Sequence, residues 1–121
     1  MSDKKTVLLG ASDNPSRYSF LAANRLITAG HEVILIGKKA GSIQDNKIVT
    51  GTPKVSEVHT VSIYLNLQNQ KQYYNYILSL KPQRVIFNPG AENPELENLL
   101  TENRILFEHA CTLVLLSTGA F

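Results

Sequence analysis

Residues suited to binding chemistry gather in four short segments: Gly10–Arg17, Gly37–Gly41, Asn66–Asn69 and Asn88–Asn93. Each mixes residues that let a backbone approach a ligand closely with residues that hydrogen-bond or carry charge. In the first, Gly10-Ala11-Ser12-Asp13-Asn14-Pro15-Ser16-Arg17, a tight turn leads to a hydroxyl and then to a helix start. Unpaired N–H groups and the helix dipole favour an anion at such a point. Arg17 adds a planar, forked cation that suits phosphate oxygens. The segment is neither of the two familiar phosphate loops. Two residues beyond Gly10 stands Ser12 rather than a glycine, no third glycine follows, and the Gly-Lys-Ser/Thr of a Walker loop is missing. The plainer use of Ser12 and Ser16 is to cap and turn the chain.

The second segment discriminates between ligands. A site that takes NAD places an acidic residue near the end of the second strand, to accept from the ribose 2′-hydroxyl. Gly37-Lys38-Lys39 stands there instead. Two lysines favour a ribose carrying an extra phosphate, on the 2′-oxygen in NADP or the 3′-oxygen in coenzyme A. The plainer alternative is a pair of solvated surface lysines. In the third segment, entered through Tyr64-Leu65, the backbone can flank an adenine or a pyrophosphate. Asn66 can donate to a ligand oxygen or satisfy its own turn. The fourth, Asn88-Pro89-Gly90-Ala91-Glu92-Asn93, can offer amides to the far end of a ligand. It reads equally well as a tight strand-to-helix connection.

Other constellations carry less. Glu108-His109-Ala110-Cys111 sets a histidine near a cysteine, with His31 and His59 elsewhere. A zinc site needs more ligands than that, and a Cys–His nucleophilic pair needs spatial adjacency. Cys111 reads best as a small buried apolar residue. No Gly-x-Ser-x-Gly elbow of a serine hydrolase is present. Tyr73, Tyr74 and Tyr76 lie at helical spacing, half core and half surface.

The elements that must position these loops alternate regularly. Strands are expected at Lys5–Leu9, Glu32–Ile36, Thr60–Leu65, Arg84–Asn88 and Ile105–Glu108, all nearly continuous apolar runs. Helices are expected at Arg17–Ala29, Gln68–Leu80 and Pro94–Glu102. Asn14 or Ser16 is the expected cap of the first helix, and Gly30 its stop. Lys38–Val49 reads as irregular, with a short strand possible at Lys47–Val49, and Val55–Glu57 as a short helical turn. Thr112–Leu116 is a sixth strand or a terminal helix. Alternating strands and helices, with strands apolar on both faces, imply βαβ units and a parallel sheet. The expected fold is α/β: Rossmann-like, doubly wound, a mostly parallel sheet of about five to six strands with helices on both faces. Its ligand site belongs beyond the carboxyl ends of the strands.

Composition narrows the class. With 121 residues, 43% of them hydrophobic, the chain suits one domain over residues 1–121. Twelve Lys+Arg against ten Asp+Glu give a net +2, too balanced for a nucleic-acid binder. A single cysteine excludes an internal disulfide. No apolar run approaches the ~18 residues of a membrane span, and Met1-Ser2-Asp3-Lys4-Lys5 leads into a strand with no secretory h-region. A cytoplasmic domain is the expectation.

Gly-Ala-Ser-Asp-Asn-Pro-Ser-Arg-Tyr-Ser at Gly10–Ser19 resembles the signature of the small stand-alone CoA-binding domain proteins. Ala29-Gly30-His31-Glu32-Val33, Ser62-Ile63-Tyr64-Leu65-Asn66, Asn88–Asn93 and the late Cys111 continue the resemblance over nearly the whole chain. The family shares its fold with the CoA-binding domain of the succinyl-CoA synthetase α subunit. The resemblance implies coenzyme A or an acyl-CoA across the strand carboxyl ends. It implies Gly10, Ala11, Ser12, Arg17 and Ser19 around the phosphates, and Gly37, Lys38 and Lys39 by the adenosine and its 3′-phosphate. Leu65 and Asn66 would line the middle, with Asn88, Gly90, Ala91 and Glu92 toward the pantetheine. Many relatives have Asn-Pro after strand two, where this chain has Gly37-Lys38. The resemblance assigns no reaction. Two other readings stay open: an NADP-dependent reductase with its substrate site at an oligomer interface, and an interaction domain with a vestigial nucleotide site.

Overall fold

The computed structural model describes residues 3–121; Met1 and Ser2, the start of the N-terminal segment considered above, lie outside the described residues. Short apolar runs form the central strands: β1 (Thr6–Leu9), β2 (Val33–Ile36), β5 (Thr60–Ile63) and β6 (Arg84–Phe87). Two further strands, β3 (Gly41–Ile43) and β4 (Asn46–Val49), form a hairpin, and β7 (Leu106–His109) closes the far edge. Among the described residues the sheet has seven strands in the order β3-β4-β2-β1-β5-β6-β7. All pairs are parallel except β3 with β4.

Period-two alternation divides the apolar residues between two cores. Val7, Leu9, Val61, Ile63, Val85 and Phe87 face one side, where Ile77, Leu96 and Leu100 cover them from α3 (Tyr74–Leu80) and α4 (Pro94–Glu102). Leu8, Val33, Leu35 and Ile86 face the other side. There α1 (Tyr18–Thr28) buries Ala22, Ala23 and Leu26, and α5 (Thr112–Thr118) packs its leucines at the margin. From β1 the chain winds outward through α1 to β2. It then returns to β5 and winds the other way, through α3 and α4, on the opposite face. The switch point is therefore the gap between the loops after β1 and β5, where open α/β sheets bind ligands.

The helix α1 ends as its sequence requires. Gly30 takes φ +90, its N–H bonds to the Ile27 carbonyl, and the His31 N–H bonds back to Leu26. That is the paired closure glycine permits at a helix end.

Several boundaries differ from the sequence-based expectation. The sheet has seven strands rather than five or six, because the stretch after Lys38 forms the β3–β4 hairpin. Only Ile43 and Ile48 in that hairpin are buried, which leaves little alternation to read. Its turn, Gln44-Asp45, contains no glycine even though Gln44 sits at φ +54. Val55–Glu57 is not helical; it runs irregularly across the sheet face into buried Val58. The expected helix Gln68–Leu80 is broken into α2 (Leu67–Gln70), a 3₁₀ turn (Lys71–Tyr73) and α3. Neither Asn14 nor Ser16 caps α1. Arg17 holds the cap position without a side-chain bond, while Asn14 Oδ1 accepts from both the N–H and the hydroxyl of Ser16. The segment Thr112–Thr118 is a helix.

Candidate functional site

Parallel pairing puts the ends of β1, β2, β5 and β6 on one edge of the sheet, so the four loops singled out above converge there. Glycines set how closely they pack. At Gly37 an added Cβ would lie 2.3 Å from the carbonyl oxygen of Ala11. At Gly10, φ +93, it would lie 3.0 Å from the backbone carbon of Tyr64. The first loop thus sits between the second and third, backbone against backbone. Gly10 and Ala11 fix it further, both donating to the Ile36 carbonyl at 2.9 Å. Only glycine tolerates these approaches without displacing a neighbour.

The electrostatics of this edge are unbalanced. Helix α1 starts here with no side-chain cap and no acidic residue in its first turn. Helix α4 starts on the same edge and has both: Asn93 Oδ1 accepts from the Leu96 N–H, Pro94 follows, and Glu95 and Glu97 lie in the first turn. One positive helix end is neutralised and the other is left open, which is the condition for anion capture. Arg17, Lys38 and Lys39 are exposed around the open end. Among the described residues none of the three has a carboxylate within 4.0 Å. Ser12 is half-buried and its Oγ accepts from the Asn14 N–H at 3.1 Å. Ser19 is buried in the first turn of α1.

The third and fourth loops are tied together from beneath. Asn66 is exposed and caps α2, accepting from the Asn69 N–H at 3.0 Å, and Leu65 is half-buried. Asn88 is fully buried, and its carboxamide is spent inside the protein. Its Nδ2 donates to Ser62 Oγ and to the Ile63 carbonyl, both at 2.9 Å, and its Oδ1 accepts from the Thr112 N–H at 2.8 Å. Of the fourth-loop candidates, Asn88 therefore acts by holding the loop and α5 in place. Gly90 and Glu92 are exposed, and Ala91 is buried. The Gly90 N–H donates to the Glu92 carboxylate, and together with the Glu92 backbone N–H it holds that carboxyl below its ordinary range.

The fourteen expected residues all lie on these four loops and the first turn of α1, nine of them at least partly exposed. Two buried amides were missed by sequence reasoning: Gln70 and Asn93, each 0% exposed. The pair Asn93-Pro94 is an N-cap followed by proline at the first helical position, a legible signal for a helix start. Gln70 carried none. Cys111 is half-buried at the N-cap of α5, not a fully buried core residue. Nearby, burial raises the Tyr64 phenol far above its ordinary range, and its hydroxyl has no hydrogen-bond partner among the described residues. Also among the described residues, no cluster of three His, Cys, Asp or Glu could hold a metal, and no helix is long and apolar enough to cross a membrane. A cavity of about 670 Å³ between Thr52–Val55 and α3 is lined by none of the candidate residues.

A family model described as a CoA binding domain matches residues 4–117. No protein of curated function matches the sequence. A solved crystal structure of an uncharacterized protein is 52% identical, with 100% of each chain covered and a TM-score of 0.96. A hypothetical protein from Pyrococcus horikoshii OT3 is 18% identical over 93% of this chain and 80% of its own, with a TM-score of 0.83. A protein from Thermus thermophilus is 21% identical over 98% of this chain and 91% of its own, at 0.82. The last two likenesses establish the Rossmann-like α/β fold alone.

Proposed function

The chain belongs to the CoA binding domain family, and on that premise we propose that the carboxyl edge of the sheet binds coenzyme A or an acyl-CoA. The protein then serves as a carrier, sensor or accessory module with no reaction of its own. The observation that carries this reading is the pair Lys38–Lys39: exposed, directly after β2, and without a carboxylate partner among the described residues. They stand where an NAD site needs an acid, and they supply the charge a ribose 3′-phosphate needs.

The rest of the ligand follows from the charge layout. The pyrophosphate lies against the uncapped start of α1, with Gly10, Ala11, Ser12 and Ser19 around it and Arg17 as the forked donor. Gly37 lets the adenosine side approach the backbone. Leu65 and Asn66 flank the middle. The neutral, amide-bearing pantetheine arm runs toward Gly90, Ala91 and Glu92, where the Glu92 carboxylate accepts an amide N–H and would repel a phosphate.

Thermal unfolding with coenzyme A, dephospho-CoA, NADP and NAD in parallel tests the reading. A ligand at a hundred times its dissociation constant adds ~2.7 kcal/mol, a shift of roughly 10 °C for a domain near this size. The expected outcome is a shift with coenzyme A that weakens with dephospho-CoA and nearly vanishes with NAD. A shift with NADP alone would replace the reading with a reductase. No shift with any of the four would leave an interaction domain.

A further inference from the structure

We propose that Gln70 is the positioning residue that sets the spacing of the third and fourth loops, and so fits the edge to the pantetheine arm; this rests on the reading just given. Gln70 is fully buried under the site and touches no solvent. Its Nε2 has two hydrogens and uses both on loop backbone. One goes to the Leu65 carbonyl at 2.8 Å and the other to the Ala91 carbonyl at 2.7 Å. Those two carbonyls belong to different loops and to residues expected along the same ligand. A single planar amide therefore fixes the separation between them.

The brace is itself held. Gln70 Oε1 accepts from Asn93 Nδ2 at 2.9 Å. The second Asn93 Nδ2 hydrogen goes to the Tyr74 hydroxyl at 2.8 Å, and that hydroxyl donates to Glu95 at 3.0 Å. Asn93 Oδ1 caps α4. The amide orientation is determined at each step, because carbonyl acceptors on one side require a donor and Asn93 on the other requires an acceptor. Buried polar chains of this kind hold a unique geometry when fully satisfied. The same chain accounts for the break in the expected helix Gln68–Leu80: α2 keeps Gln70 turned inward against the loops, and a 3₁₀ turn then carries the chain to α3.

The consequence is specific to one half of the ligand. Loops one and two, which take the adenosine and phosphates, make no bond to Gln70. A Gln70→Met variant keeps the length and removes both donors, leaving the Leu65 and Ala91 carbonyls unpaired. Binding is measured by calorimetry with intact coenzyme A and with adenosine 3′,5′-bisphosphate, which lacks the pantetheine arm and the outer phosphate that carries it. The expected result is about a tenfold loss for coenzyme A and less than a twofold change for the bisphosphate. An equal loss for both ligands, or no loss for either, overturns the proposal. Where Gln70→Met does not fold, Gln70→Glu takes its place with the same two readouts and the same expectation, since a buried carboxyl group, neutral beside two carbonyl oxygens, can donate to only one of them. Wild-type protein that binds neither ligand overturns the reading of the site itself, and this proposal with it.

Discussion

The two ends of the sheet treat their charges differently. At the amino end, Lys4 Nζ and Arg84 Nη2 both donate to the Phe121 carbonyl oxygen at 2.7 Å. The Arg84 guanidinium lies 4.4 Å from the Phe121 ring centre, His31 packs on the same ring, and Arg84 Nε donates to Thr60 at 2.9 Å. Arg84 also lies 3.6 Å from Glu108. At the carboxyl end, Arg17, Lys38 and Lys39 stand exposed, and the helix between them is uncapped. Lys4 and Arg84 are satisfied within the protein, whereas Arg17, Lys38 and Lys39 are left for an anion. Both ends carry charge, so it is the satisfaction of these particular cations, not their presence, that separates the structural cluster from the binding one.

Substitutions can break or sharpen that contrast. The largest effect is expected at the structural end. Phe121→Ala removes a buried ring on which three side chains converge and costs about 3 kcal/mol, a drop of roughly 10 °C in Tm. Coenzyme A affinity of the folded variant stays within twofold. A large loss of affinity would break the separation of the two ends. At the binding end, Gly37→Ala sets a methyl against the Ala11 carbonyl and forces the first two loops apart. Overpacking of this kind costs about 1–3 kcal/mol, and here it falls mostly on binding. Coenzyme A affinity is expected to fall by more than tenfold in calorimetry.

The double variant Lys38→Ala, Lys39→Ala is expected to leave Tm unchanged and to weaken coenzyme A by about fivefold, or ~1 kcal/mol. Dephospho-CoA binding stays constant, which assigns the lysines to the 3′-phosphate. An equal loss for both ligands would assign them to the pyrophosphate.

The smallest effect is a pH dependence of the amino end. Burial holds both His31 and His59 below the ordinary imidazole range, helped by the neighbouring cations Lys4 and Arg84, with Asp3 opposing at His31. The Lys4 N–H donates to His31 Nδ1 at 3.0 Å, a bond that needs the neutral ring. A folded pKa below the unfolded one means the unfolded chain takes up protons more readily as pH falls. The stability these rings contribute is therefore present above about pH 6.5 and lost below it. Tm should decline from pH 7 to pH 5, and a His31→Gln variant should decline less.

The alternation of strands and helices was legible because the apolar runs are short, continuous and separated by turn-forming residues. The four loops were legible for the same reason: each follows an apolar run on the same side of a parallel sheet. What was not legible depends on contacts distant in the sequence. The β3–β4 hairpin buries only Ile43 and Ile48 and turns without a glycine. Asn88 reads as a ligand residue from its turn-rich neighbours, yet its side chain is spent on Ser62, Ile63 and Thr112. Gln70 lies in a polar run, Leu67-Gln68-Asn69-Gln70-Lys71-Gln72, and nothing local distinguishes it as the buried one. The Phe121 contacts span the length of the chain, |i−j| of 117 for Lys4.

The most direct test of the contrast is an amide chemical-shift titration with coenzyme A, read at both ends of the sheet at once. The account predicts shifts clustered at Gly10–Ser19, Gly37–Lys39, Leu65–Asn66 and Gly90–Glu92, with Lys4, His31, Arg84 and Phe121 unmoved. Shifts clustered at the amino end, or no shifts at all at saturating ligand, would contradict it.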